Sequence, residues 1–362
     1  MTTEFYTLPI SEVTTLTRES VALRFDVPEQ LKAAFKFIQG QHLTLAVKID
    51  GEEVRRSYSI CGDVNKQELQ IGIKRVVDGV FSNYAIDNLK VGMTMEVMAP
   101  QGHFYTDLNT TSQKHYLCIA AGSGITPILS QIRSILSTEA NAKVTLVFSN
   151  KSTSLMMFRE KLSFTKNEYI DRFQLINLFT SEQHEAEIFN GRISADKLAA
   201  LDAKHIIALN KINDVFICGP EEMLDNIKPF LSSRSINDEN IHYELFFSDS
   251  AEQKTIEKQQ QRDSKFGDES SRVTVKISGR RTSFDLSLKG DDILEAAMFE
   301  GADLPFSCKA GVCATCKAKL IKGEVEMDQN HSLTDEELAE GMILTCQAHP
   351  ISAEVEVDFD VV

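Results

Sequence analysis

The chain has 362 residues, 42% hydrophobic and 25% charged, the balance of a soluble globular protein long enough for two or three domains. Its net charge of −15 argues against nucleic acid as a partner. No apolar run approaches the ~18 residues of a membrane span, and the first residues lack the cationic lead and apolar core of a signal peptide, so no membrane partner and a cytoplasmic location are expected.

Short alternating runs fill the first hundred residues, at 20–25, 42–47 and 69–73, with turn signals at Asp50-Gly51 and Asp78-Gly79. Regular strands with such turns predict an antiparallel β-barrel over residues 1–108. It contains Arg56-Ser57-Tyr58-Ser59. On a strand, Arg56 and Tyr58 share a face. A guanidinium suits a pyrophosphate, a phenol suits a flat ring, and Ser59 can hydrogen-bond that ring. Gly79 then leads into a short helix whose free N–H groups suit phosphate, with Ser82 in its first turn. An ordinary surface strand is the alternative reading of this stretch.

The texture changes near residue 109. Residues 116–121 are continuously apolar, as expected of a strand buried on both faces, and 144–148 and 214–218 read alike. Helical patterns lie between them, the first at 127–136, which predicts an α/β domain with a parallel sheet over residues 109–247. Gly122, Gly124 and Thr126 occupy the turn between the first buried strand and its helix, where glycine lets phosphate or ribose approach the backbone. Cys218-Gly219-Pro220 ends another buried strand, at the edge where such sheets bind ligands. A plain turn beside an inert core thiol is the alternative there.

Residues 248–271 are polar and read as a linker. A strand at 272–277 and a helix at 293–299 follow, the helix capped by Asp292. Then come Cys308, Cys313 and Cys316, spaced C-x4-C-x2-C, with Cys346 farther on. This is the plant-type spacing for a [2Fe–2S] cluster. Gly311 and Ala310 permit a tight loop with N–H groups aimed at sulfur. Structural zinc is the alternative, although zinc sites usually pair two C-x2-C knuckles. Residues 272–362 hold 17 acidic and 9 basic side chains. They form either a solvated acidic face or a docking patch for a basic partner near Lys309, Lys317 and Lys319.

Taken in order, R-x-Y-S, G-x-x-S, G-x-G-I-T-P and C-G-P resemble the ferredoxin–NADP reductase-like flavoproteins, over essentially the whole chain. The C-terminal cysteine motif narrows this to members with a plant-type ferredoxin domain. Residues 39–45, 51–61 and 98–104 are similar to the reductases of phenylacetyl-CoA epoxidase, and 3-ketosteroid hydroxylase and hybrid-cluster-protein reductases share the plan.

The resemblance implies a multidomain fold: an antiparallel β-barrel flavin domain, an α/β parallel-sheet nucleotide domain, and, over residues 272–362, an α+β (β-grasp) ferredoxin domain. It implies that Arg56, Tyr58 and Ser59 hold FAD, with Ser59 near the reactive ring nitrogen, and that Gly79 and Ser82 flank the pyrophosphate. Gly122, Gly124 and Thr126 would contact NAD(P), Cys218 and Gly219 would border the nicotinamide, and Glu244 would be an acid near the flavin. Ser59, Cys218 and Glu244 are thus the expected catalytic group. The second buried strand ends without an acid for ribose hydroxyls, and Lys151 with nearby Arg159 suits a 2′-phosphate, favouring NADPH, with NADH possible. The implied activity passes electrons from NADPH through FAD and [2Fe–2S] to an oxygenase component. The di-iron component of phenylacetyl-CoA 1,2-epoxidase, in phenylacetate degradation, is the expected one. A Rieske-type or hybrid-cluster system, or a redox sensor without turnover, is the alternative.

Overall fold

The computed structural model describes residues 4–246, 258, 262, 264–267 and 269–361. Phe5–Phe246 forms one compact unit and Phe247–Val362 belongs to a second, so the first two expected domains pack as one body.

In the first unit, strands β1 (Phe5–Thr17), β2 (Ser20–Phe25), β3 (His42–Ile49), β4 (Glu52–Ser59), β5 (Gln70–Lys74) and β6 (Thr94–Met98) form an antiparallel sheet ordered β4-β3-β6-β1-β2-β5. A bridge between Ile60 and Ile71 joins its two edges and closes it into a barrel. Alternate residues point inward, so Leu8, Ile10, Leu23, Leu43, Leu45, Ile71, Ile73 and Val97 build the core. The long β1 escapes the sequence pattern. Its alternation is broken by bulges between Ile10 and Glu12 and between Thr15 and Thr17. Helix α1 (Val80–Asn88) buries Phe81 and Ala85.

The other half of this unit is a parallel sheet of β7 (His115–Ala121), β8 (Lys143–Asn150), β9 (Phe173–Phe179), β10 (Asp214–Gly219) and β11 (Ile241–Leu245), ordered β11-β10-β7-β8-β9. Helices α2 (Ile125–Thr138), α3 (Arg159–Glu168), α4 (Ala195–Ala203) and α5 (Glu221–Ser233) alternate with the strands. The central strands are fully buried, which is why they read as unbroken apolar runs. Helix α2 packs its apolar side on this sheet. Its polar side bonds to the barrel: Ser130 Oγ donates to the Gly62 carbonyl at 3.2 Å, and Arg133 meets Asp63 at 3.2 Å and Glu68 at 3.3 Å. The chain reverses direction of winding between β7 and β10, which leaves a crevice at their C-terminal ends.

The second unit has a mixed sheet of β12 (Ser270–Ile277), β13 (Arg280–Ser287), β14 (Lys317–Lys322), β16 (Met342–Leu344) and β18 (Glu354–Asp358), ordered β13-β12-β18-β14-β16, while β15 (Val325–Met327) pairs with β17 (Ala348–Pro350). Helix α6 (Ile293–Phe299) closes its core with Ile293, Leu294 and Ala297, and Asp292 caps it by accepting from Glu295 N at 2.9 Å. Helix α7 (Asp335–Ala339) has a capping box made by Thr334 and Glu337.

Most of the stretch expected as a linker lies outside the described residues. Lys258 and Arg262, however, are helical and belong to this unit's interior chemistry. Arg262 is 3% exposed and pairs with both carboxylate oxygens of Asp328, and Lys258 Nζ donates to the Met327 carbonyl at 2.9 Å. His349 meets the same carboxylate at 3.3 Å. The linker reading therefore fails at these two positions, because composition scores a buried, paired arginine as solvent-loving. No helix among the described residues is long and apolar enough to cross a membrane.

Candidate functional site

The crevice of the first unit gathers the residues singled out from sequence. Cys218 on β10 stands beside Glu244 on β11 in parallel register. Ser59, the last residue of β4 and buried, donates from Oγ to Glu244 Oε2 at 3.1 Å across 185 residues of chain. The barrel edge and the sheet edge thus meet at one hydrogen bond. Cys218 is completely buried, and burial, then the Glu244 charge, pushes its thiol well above the usual range. It is a neutral, non-nucleophilic thiol.

Glycine is required at position 124, where the clash is with main chain, while at Gly219 the near atom is the movable end of a side chain. A Cβ on Gly124 would sit 2.2 Å from the Cys218 carbonyl oxygen, and one on Gly219 would sit 2.6 Å from Met223 Cε. Gly122 adopts φ +55 and opens the turn into α2. Thr126 is buried and donates to the Ser123 carbonyl at 3.0 Å, so its hydroxyl proton braces the turn. The turn forms a cradle of backbone.

Two cations flank that cradle. Lys74 Nζ lies 3.5 Å from where a Gly122 Cβ would be. Burial lowers its pKa, the Glu19 carboxylate opposes this, and the Lys151 charge adds a smaller push in the same direction as burial. Two amines beside a strand-to-helix turn suit a bound anion. Lys151 is exposed, and its carbonyl accepts from Ser181 N at 2.9 Å. Next to it, Asn150 is 6% exposed, with a buried Nδ2 that lacks a partner. An orphaned donor at a strand's C-terminal end fits a ribose or phosphate oxygen.

On the barrel, Arg56 is exposed, its guanidinium donating to the Arg55 carbonyl at 2.7 Å, and Tyr58 packs on Phe81 with ring centroids 5.5 Å apart. Burial raises the Tyr58 pKa, so the phenol stays protonated. Ser82 Oγ accepts from Val76 N at 3.0 Å and donates to the Gly79 carbonyl at 3.3 Å, which ties the loop ahead of α1. Gly79 caps α1 without a side-chain hydrogen bond, leaving first-turn N–H groups for an anion. These features suit a flavin with its pyrophosphate.

Sequence reasoning passed over Lys74, Asn150 and His42. His42 lies opposite Ser59 in the β3 and β4 register, is 5% exposed, and has a buried Nε2 without a partner. Burial, then His103, lowers its pKa to about 4. A histidine in a strand core was the available signal.

In the second unit, Cys308 is half-buried and Cys313, Cys316 and Cys346 are buried. The thiols pair. Cys308 and Cys313 share a hydrogen bond that raises the first and lowers the second to about 6, and Cys346 is raised by its bond with Cys316. Ala310 N donates to Cys308 Sγ at 3.3 Å. Lys309, Gly311 and Ala314 all have positive φ, at +52, +71 and +52, and their turns bring N–H groups inward. Two thiol pairs with N–H donors beside them fit a two-iron cluster, which these four cysteines would hold. The lysines read as surface cations are engaged: Lys309 pairs with Glu295, and Lys317, 8% exposed, with Glu337 at 2.7 Å.

The chain is similar throughout to known proteins. Residues 7–105 match the oxidoreductase FAD-binding domain family, 118–228 the oxidoreductase NAD-binding domain family, and 275–350 the 2Fe-2S iron-sulfur cluster binding domain family. It is 41% identical to a subunit of the 1,2-phenylacetyl-CoA epoxidase of Escherichia coli (strain K12), over 99% of this chain and 98% of that one. It is 34% identical to the ferredoxin reductase component of 3-ketosteroid-9-alpha-monooxygenase of Mycobacterium tuberculosis (strain CDC 1551 / Oshkosh), over 98% and 95%. Its fold matches that of phthalate dioxygenase reductase, with a TM-score of 0.61 and 23% identity, over 98% of both chains.

Proposed function

The chain belongs to the ferredoxin–NADP reductase-like flavoproteins with a C-terminal plant-type ferredoxin domain and is an electron-transfer reductase; we propose that its acceptor is the oxygenase component of a phenylacetyl-CoA epoxidase. The end-to-end similarity to a subunit of that system supports this acceptor. The observation that carries the reductase chemistry is the meeting of Ser59, Glu244 and Cys218 in one crevice of a chain that also bears two paired thiol sets.

When bound, FAD accepts a hydride from the nicotinamide and the [2Fe–2S] cluster carries electrons onward one at a time. The protein supplies placement. Arg56 and the first turn of α1 hold the flavin pyrophosphate, with Gly79 and Ser82 shaping that turn, while Tyr58 covers the ring. Ser59 presents its hydroxyl at the ring edge, oriented by Glu244. Gly122 and Gly124 admit the dinucleotide backbone between β7 and β10, with Thr126 bracing their turn. Lys74 and Lys151 offset its phosphates, and Lys151 favours NADPH by meeting the 2′-phosphate. Cys218 and Gly219 form a wall at the nicotinamide, and the neutral thiol keeps that wall unreactive. Cys308, Cys313, Cys316 and Cys346 ligate the cluster. Cys61, Cys118 and Cys218, buried as free thiols beside the four ligands, support a reducing compartment, the cytoplasm.

The test mixes purified reductase, NADPH, phenylacetyl-CoA and dioxygen with the oxygenase component of a phenylacetyl-CoA epoxidase. Epoxide formed in proportion to NADPH consumed is expected. No product there, but turnover with a 3-ketosteroid monooxygenase component, would assign the chain to the second system.

A further inference from the structure

One side chain at the cysteine loop is bonded in a way that packing alone does not require. Gln347 follows Cys346 and is 6% exposed. Its Nε2 donates to the Lys309 carbonyl at 3.1 Å and the Cys346 carbonyl at 2.7 Å, and lies 3.9 Å from Cys346 Sγ. Two carbonyls facing one nitrogen fix the amide's orientation, because the reversed amide would set oxygen against oxygen. Its Oε1 is buried without a partner, a cost that an apolar side chain of the same size avoids. Gly311 makes the room: a Cβ there would lie 3.2 Å from Gln347 Cγ.

The carbonyl of Lys309 and the N–H of Ala310 belong to one planar peptide. That N–H donates to Cys308 Sγ at 3.3 Å. Lys309 holds φ +52, a conformation that side chains other than glycine resist. Holding its carbonyl keeps the peptide plane turned so that the donor faces sulfur. We infer that Gln347 is a positioning residue for the cluster. Its amide locks the peptide between Lys309 and Ala310 so that the Ala310 N–H stays on Cys308 Sγ, which stabilises the more negative, reduced cluster and raises its potential. The inference rests on the reading of the four cysteines as a [2Fe–2S] site.

Two variants of the full-length protein test it. Gln347→Leu removes the donors and keeps the volume, and Gln347→Glu keeps the outline but loses the amide. Iron, acid-labile sulfide and flavin are quantified, and the cluster potential is read by an EPR-monitored titration. Gln347→Leu should load fully yet be reduced about tenfold less readily, the scale of one hydrogen bond, which is about 59 mV more negative. Gln347→Glu should shift further in the same direction, with the flavin potential unmoved. A fully loaded Gln347→Leu with the wild-type potential overturns the inference. Should that variant fail to load, a loaded Gln347→Glu with an unchanged potential overturns it equally. Loss of the cluster from both, with flavin retained and wild type loaded, supports the lock. Wild-type protein without iron and sulfide defeats the reading of the cysteines itself, so the two failures are distinguishable.

Discussion

Gly124→Ala adds one methyl group at the point where the nucleotide turn crosses β10. The new Cβ would lie 2.2 Å from the Cys218 carbonyl oxygen and 2.7 Å from its carbon, against about 3.4 Å for ordinary contact, so the two backbones must separate by roughly 1 Å. Gly124 already has φ −59, which alanine adopts freely, so the effect is steric and not conformational. Both clashing atoms are main chain, and no side chain can swing away. Overpacking of this kind costs about 1–3 kcal/mol, which lowers the melting temperature of a unit this size by roughly 2 to 10 °C. The functional loss is larger, because a misplacement of ~1 Å between reacting groups costs about 100-fold in rate. Anaerobic stopped-flow absorbance would follow flavin bleaching by NADPH, with the FAD content of the variant equal to that of wild type. Flavin reduction at the wild-type rate would refute the placement of the nicotinamide against the wall that Cys218 and Gly219 form beside the Gly124 turn.

Arg262→Ala leaves buried Asp328 with His349 but without its bidentate guanidinium partner and should destabilise the second unit by about 3 kcal/mol, read as release of the cluster at lower urea. Burial opposes ionisation of Asp328, but hydrogen bonds from His349 and Arg262 outweigh it and hold the carboxyl at about 2. Its folded pKa lies below the unfolded value, so this stabilisation, about 2 kcal/mol, is complete above pH ~4. It is lost as pH falls toward 2, and Asp328→Asn should flatten that segment of the stability curve. Lys151→Ala should raise KM for NADPH about tenfold, as loss of a charge-assisted contact does, while KM for NADH stays within about twofold. Equal losses with both nucleotides would place the amine on the phosphates they share.

Much of the site is legible in sequence because its chemistry is local. Cys308, Cys313 and Cys316 must sit at short fixed spacing to ring one cluster, and Gly122 and Gly124 occupy a single turn whose backbone cannot tolerate a Cβ. The buried strands of the parallel sheet announce themselves as apolar runs, and Asp292 caps α6 where its side chain suggests. What sequence hides is contact made across the fold. Lys74 reads as a strand-end cation until β5 brings it to Gly122, and His42 acquires its place only from register with Ser59. Arg262 looks solvated until it meets Asp328, 66 residues later. Lys317 reads as a docking cation for a partner, yet Glu337 has already claimed it. Ser82 and Thr126 stand where the motif puts them, but their hydroxyl protons serve their own loops.

Electrons are expected to leave the crevice through the four cysteines. Anaerobic mixing with one equivalent of NADPH, followed at flavin and cluster wavelengths, tests it most directly. Wild type should show flavin bleaching followed by cluster bleaching, and Cys308→Ser flavin bleaching at an unchanged rate with no cluster phase. Reduction of an outside protein acceptor at the wild-type rate by Cys308→Ser would contradict it.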